Sequence, residues 1–432
     1  MSKFMSRRST IKGLAGAAAV GAASSRFAAP SMISAQGTNI DLVFYTAFGS
    51  GANGDAQTKI LEDFNALDNG ITVTSTAYPN YAELANAVLT GLESGDIPHI
   101  MNVSEVWWFN FYLRQAYADL TPYVDAPEDY VDSLFVEYQR NGGQWALPFA
   151  RSTPLMYYNT EAFEAAGVDP AVLGKWSTFS EAAPKLVGGN IKNSFAFNDA
   201  AGYAAWTLHG AIWAYNGNYS DADLNMLFNQ PEAVGVGELM RGMVNEGGAT
   251  VMAEAGTEFS VGTVASTIMS TGAIGWMTTD AQVEWATAEL PEEMTFGCPT
   301  GGAGLAVLAN ESEEVVAAAA EFLKYSTSTE VTSYWAQSTG YLPARKSAAE
   351  SEDFQAFLAD HPNNAVAVGQ LPKTQPQDSA RVFIANGDKI LGNAWEQVLV
   401  NDQPAQQAFD EAVAILDQEK QPVLEAIEAI EG

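Results

Sequence analysis

Between Asn39 and Ser104 the chain alternates apolar or β-branched runs with amphipathic stretches, and this alternation limits its fold more than any other feature. NIDLVFYTA (39–47) is a short apolar run suited to a buried strand. AQTKILEDFNAL (56–67) puts Ile60, Leu61, Phe64 and Leu67 on one helical face. Asn69-Gly70 then turns the chain into ITVTSTAY (71–78), which is β-branched and alternating. NYAELANAVLTGLESG (80–95) reads as a helix with Leu84, Val88, Leu89 and Leu92 inward and Gly95 as its stop, before a third strand at HIMNVS (99–104). A β-α-β-α-β order calls for a parallel sheet covered by helices, an α/β fold whose sites gather at the carboxyl ends of the strands. The pattern resumes downstream. A helix starts at Asn159-Thr160 and stops at Gly167, and Thr178 with Glu181 reads as a capping box. Further helices cover 232–245 and 313–325, GQLPKTQPQ (369–377) is a proline-interrupted loop, and a helical tract over 404–430 is expected to break near Pro422. At 432 residues the chain exceeds one ordinary compact domain, so two lobes are expected.

Charge narrows the partners. Five of the 20 basic residues lie in the first 30 positions, which leaves 15 against 52 acidic ones, a net −37. Such a polyanion repels nucleic acid and anionic membrane surfaces. The basic start itself, Ser6-Arg7-Arg8 followed by a short Ala/Gly run and ISAQ, reads as a twin-arginine export leader over residues 1–35. That leader contains no cysteine, which leaves no lipid anchor, and the single Cys298 permits no internal disulfide. A soluble periplasmic protein is the expected product.

Catalytic signatures are sparse. The three histidines, His99, His209 and His361, form no H-x-x-x-H pair, and there is no cysteine cluster or EF-hand loop; no metal or other cofactor is expected. No G-x-S-x-G elbow occurs, and Gly301-Gly302-Ala303-Gly304 runs on into a strand instead of opening a nucleotide-binding helix. Aromatics beside small polar residues are plentiful instead: PNYAEL, SEVWWFNFY, GYAAWTLHGAIWAYNG, MSTGA and STGYLP. Aromatic faces with hydroxyls and glycine amides suit a polyol ligand, although Trp107, Trp108 and Trp213 are better read as core or groove packing. Tyr203 and Trp206, three apart, fit a ligand face and a core face equally.

The remaining oddity is LPFARSTPLMYYN (147–159), in which Arg-Ser-Thr-Pro interrupts two strand-like pieces. With PNYAELA, IPHIMNVSE, TGYLP (339–343) and the Tyr203, Trp206, Asn216-Gly217 spacing, this stretch resembles the extracytoplasmic solute-binding proteins of ABC importers, specifically their glycerol-3-phosphate-binding branch. The resemblance runs from about residue 40 to the C-terminus. It implies a two-lobed type II (Venus-flytrap) fold with three inter-lobe crossovers, lobe 1 being 37–150 plus 303–327 and lobe 2 being 151–302 plus 328–432. It also implies a monomer without catalytic activity that closes on its ligand and docks on a membrane permease. The family's ligand positions fall on Tyr81, Glu105, Ser152, Tyr203, Trp206, Ser270, Gly302 and Tyr341. On that pattern Glu105 accepts from glycerol hydroxyls, Ser152, Ser270 and the Gly302 amide donate to phosphate, and Trp206 covers the carbon chain.

Two departures bear on the ligand. Tyr203 stands where the family has a tryptophan, and Lys389 aligns with its phosphate-facing arginine, while Arg381 matches a second family arginine. Lysine supplies a point charge without the bidentate fork. Arg151, beside Ser152, either restores that fork or is a solvated hinge residue. Glycerol 3-phosphate, a glycerophosphodiester and a neutral sugar all remain open, and a secreted glycoside hydrolase or phosphodiesterase is the rival from another class. That rival requires a second carboxylate facing Glu105.

Overall fold

The computed structural model describes residues 39–432 apart from Gly202 and Asn310; the expected leader lies outside the described residues. Ten strands carry the two main sheets: β1 (Ile40–Thr46), β2 (Ile71–Ala77), β3 (Ile100–Ser104), β4 (Leu147–Ser152), β5 (Pro154–Asn159), β6 (Ala196–Asn198), β7 (Thr250–Met252), β8 (Ser266–Ser270), β9 (Trp285–Ala288) and β10 (Gly301–Val307). The first sheet runs β2-β1-β3-β10-β4 and the second β9-β5-β8-β6-β7. The parallel sheet expected from the opening alternation is the β2-β1-β3 half. β10, which enters from the other lobe and not through a helical crossover, lies antiparallel between β3 and β4, so that β4 runs in the same direction as β3 before it leaves for the second sheet.

The local signals explain the first lobe. Leu42 and Phe44 of β1, with Ile60 and Phe64 of the helix Gly51–Asn65, are fully buried in one cluster, and each such side chain contributes about 1.5–3 kcal/mol. The Phe64 and Phe322 rings meet edge-on with centroids 5.0 Å apart. The next helix, Tyr81–Ser94, is capped by the Asn80 side chain accepting from the Glu83 amide at 2.9 Å and ends on left-handed Gly95.

Three expectations are corrected. Thr178 is not a cap: the helix begins at Trp176, and Glu293 satisfies its free end by accepting from both the amide and the hydroxyl of Ser177, at 3.0 Å each. Pro422 does not break the last helix, which runs Ala405–Glu431; the carbonyl four residues back belongs to exposed Gln418, where water can take the lost bond. Finally, the passage between lobes does not come at 328. Val331 and Trp335 of the helix Thr329–Thr339 lie one turn apart and share the core of Leu42 and Phe44. The chain changes core beyond Gly340, where Leu342, Ala367 and Leu371 join Leu155 and Ala196.

Candidate functional site

The site is built around the polar break in LPFARSTPLMYYN. β4 ends at Ser152 and β5 starts at Pro154, so only Thr153 separates a strand of one sheet from a strand of the other. Proline suits this place because β5 needs no ladder amide from its first residue. β4 is flanked on both sides. Gly301 and Gly302 pair with Ser152 and Arg151 on one edge, and the Leu342 amide donates to the Arg151 carbonyl at 2.7 Å on the other. Ser152 and Gly302 therefore sit on adjacent strands, with Tyr341 beside the isolated bridge that Leu342 makes to Arg151. Ser270 joins them through the Thr271 amide, which donates to the Thr153 carbonyl at 2.9 Å. Gly272 follows so closely beneath Tyr341 that a Cβ there would lie 2.8 Å from the ring.

The other lobe-1 residues arrive from strand ends, as the fold class requires. Tyr81 opens the helix after β2, and Glu105 follows β3, its amide donating to the Gly302 carbonyl at 3.3 Å. Phe48 packs against Tyr81, Tyr341 and Trp335, with ring centroids 6.0, 5.9 and 5.2 Å away. From the second lobe, Trp206 is buried, donates from Nε1 to the Thr300 carbonyl at 2.9 Å and lies against Gly301. Its ring thus packs on the crossing backbone. Tyr203 lies just outside the helix Ala204–Thr207, in the left-handed region (φ 72°) and 46% exposed, so the two aromatics do not share a helical face. Burial raises the phenol pKa values of Tyr81 and Tyr341, the latter to about 12, and both feel Glu105.

The cation of the site is Arg381, and its position was not assigned a role from sequence. Its side chain is fully buried on the short helix Ser379–Val382. Nε donates to Asp388 Oδ1 at 2.6 Å, Nη1 donates to Gln377 and to Glu105 Oε1 (3.4 Å), and Nη2 is buried with no partner. Burial opposes its charge, but Asp388 and Glu105 more than offset this and hold its pKa raised. Burial conversely pushes the Glu105 carboxyl up, partly countered by Arg381. Lys389 does not converge: it is exposed and forms no ion pair among the described residues. Asp388, one position earlier, faces the site instead. We expect Lys389→Ala to leave ligand affinity within about fivefold, since an exposed charge is worth about 1 kcal/mol or less; calorimetric titration checks this.

Arg151 is neither a fork in the site nor solvated. It is fully buried, donating from Nη2 to Glu137 and from Nη1 to the Tyr138 hydroxyl, and Glu137 also accepts from Thr300 Oγ1 at 2.8 Å. This network ties β4 to the second crossing at Thr300. The segment 369–377, expected as a loop, begins as the end of the helix Pro362–Gln370 and supports the same point. Gln370 Nε2 donates to Thr153 Oγ1 (3.0 Å) and the Pro154 carbonyl (2.9 Å), and Gln377 Nε2 donates to the Thr300 carbonyl (2.7 Å). Sequence reasoning missed Glu137, Tyr138, Gln377 and Asp388; only the crowding of glutamines in a proline-bounded loop offered a signal. Glu105 and Asp388 do come from opposite lobes, as the hydrolase rival requires. Arg381 ion-pairs with both, occupying the space between them.

A polar, ion-paired cluster buried between two sheets joined by crossing strands defines a two-lobed ligand-binding protein. The chain belongs to the bacterial extracellular solute-binding proteins, whose family model matches residues 59–364. It is 25% identical over 392 residues to the sn-glycerol-3-phosphate-binding periplasmic protein UgpB of Escherichia coli, covering 84% of this chain and 89% of that protein. Among solved structures, UgpB from Mycobacterium tuberculosis in complex with glycerophosphocholine superposes with a TM-score of 0.82 and 33% identity, covering 90% of this chain and 99% of that one. The cyclic α-maltosyl-1,6-maltose binding protein of Arthrobacter globiformis, 20% identical with a TM-score of 0.78, covers 88% of this chain and all of its own, and shows the fold alone.

Proposed function

We propose that this protein is the periplasmic solute-binding component of an ABC importer, and that it captures sn-glycerol 3-phosphate or a glycerophosphodiester between its lobes. The observation that carries this reading is Arg381. It is a buried cation between the lobes with one donor nitrogen unmatched, ion-paired to Glu105 of the first lobe and Asp388 of the second. An oxyanion of the ligand satisfies that donor, and hydroxyls of a glycerol unit donate to Glu105. Ligand contacts from both lobes favour the closed form, which docks on the membrane permease. The twin-arginine leader delivers the folded, unanchored monomer to the periplasm, and the protein performs no chemistry on its ligand. A neutral polyol is the second reading, favoured by the two carboxylates that already compensate Arg381.

A thermal-shift series separates the readings. Glycerol 3-phosphate or glycerophosphocholine at about 100 times Kd raises the melting temperature by the equivalent of about 2.7 kcal/mol, whereas maltose does nothing. A shift with maltose alone overturns the phosphoester assignment.

A further inference from the structure

We propose that the end of the helix Ala405–Glu431 is a clasp between the lobes. Glu431, held by Arg140 and Tyr112, favours the closed arrangement with or without ligand, and so adds to capture from outside the binding site. The inference rests on the two-lobed architecture and on no particular ligand.

The partners of this contact belong to different lobes. The helix Ala405–Glu431 is anchored in the second: its Phe409 ring stacks on Phe228 with centroids 3.7 Å apart, and Lys420 Nζ donates to the Leu224 carbonyl at 3.1 Å. Its last turn meets the first lobe. Arg140 donates twice to Glu431, from Nε to Oε1 at 2.7 Å and from Nη2 to Oε2 at 3.0 Å, and the Tyr112 hydroxyl donates to Oε1 at 2.9 Å. Tyr112 lies on the helix Trp108–Leu113, which follows β3 and Glu105. Arg140 lies on the short strand Gln139–Arg140, paired with Gly143–Gln144, and the Gln144 carbonyl accepts from the amide of Leu120, a member of the Leu42 core, at 2.8 Å. Beside the ion pair, Phe109 of the first lobe stacks on Phe383 of the second, with centroids 3.9 Å apart, and the Arg140 guanidinium lies over both rings at 5.7 and 5.9 Å.

Opening the cleft about the crossing strands pulls these groups apart together. A two-pronged arginine–carboxylate pair with a third hydrogen bond, on side chains only partly exposed, outweighs an ordinary surface ion pair. The Arg140 hydrogen bonds, helped by Tyr112, hold the Glu431 carboxyl below its usual range, so it is charged at neutral pH. The chain's large excess of carboxylates favours separated lobes by self-repulsion, which gives an opposite-charge contact between them added weight. The clasp is also continuous with the site: Phe383 stands two positions beyond Arg381, and Phe109 four beyond Glu105. Tyr112, Arg140 and Glu431 are not themselves among the proposed ligand residues. Their effect reaches the ligand through the open–closed equilibrium, and apparent affinity follows the population of the binding-competent form.

The test reads that equilibrium directly, by electron-spin distance measurement on the full chain without added ligand. Labels at Glu62→Cys and Glu232→Cys occupy exposed helical positions of the first and second lobes, and the native Cys298 is fully buried. With Glu431 intact, a fraction of molecules is expected at the separation of this structure, and Glu431→Gln should lower the closed-to-open ratio about fivefold. Exchanging the charges, Arg140→Glu with Glu431→Arg, should restore much of that ratio, which a purely local packing role would not. Tyr112→Phe, which removes one hydroxyl, should lower the ratio by a smaller factor and decides the matter should the Glu431 variants fail to fold. An unchanged ratio in folded Glu431→Gln, or no molecules at the closed separation with Glu431 intact, overturns the proposal. No ligand enters the measurement, so a failure of the phosphoester reading remains a distinct outcome.

Discussion

Arg381→Met is expected to abolish measurable phosphoester capture, a loss of roughly 100-fold or more in affinity. A charge-assisted hydrogen bond to the ligand accounts for about 1.5–3 kcal/mol of this. The rest comes from Glu105 and Asp388, which lose their shared counter-ion and then face the anion directly. The same substitution strands two carboxylates, one of them buried, and breaking such a pair costs about 3–5 kcal/mol of stability. Affinity loss and misfolding must therefore be separated. The double variant Arg381→Met with Asp388→Asn removes one stranded charge and should recover part of the melting temperature without recovering ligand binding. Recovery of both would show that Arg381 acts on the scaffold and not on the ligand.

Gly302→Ala should lower stability by about 3 kcal/mol or more, and lower affinity with it. Gly302 has φ +92°, a region costly for any residue with a side chain, and an added Cβ would lie 2.1 Å from the Ala150 carbonyl oxygen. The obstacle is backbone of the neighbouring strand, so β10 itself must move. That movement reaches the proposed ligand residues, because the Gly302 carbonyl holds the Glu105 amide and its strand partner is Arg151. Gly174→Ala is the control, since a Cβ there meets nothing within 4 Å. Chemical denaturation of both variants measures the difference. Equal stability would mean that β10 accommodates the methyl group without strain.

Much of the fold was legible because its determinants are local. Apolar residues spaced by two or by three to four positions assign β1 to β3 and their helices, since each period places one face inward whatever surrounds it. The Asn80 cap and the Gly95 stop work within a single turn. Elements whose ends are completed from afar were misread: the helix at Trp176 borrows Glu293, and no local pattern announces that.

For the site, the sequence by itself determined that a polar break at Arg151-Ser152-Thr153 interrupts two strands, and that hydroxyls, glycines and tyrosines suited to a polyol recur in fixed blocks. It could not say which charge meets which. Arg381 reaches Glu105 across 276 positions, and Arg151 is neutralised by Glu137 from outside its own strand. Lys389 and Asp388 show the physical reason most clearly. Neighbours on an α-helix point about 100° apart, so a shift of one position exchanges a cation in the site for a carboxylate. Sequence similarity does not resolve that rotation. The docking of the helix Gly387–Leu399 against its lobe does, turning Asp388 onto Arg381 and Lys389 into solvent.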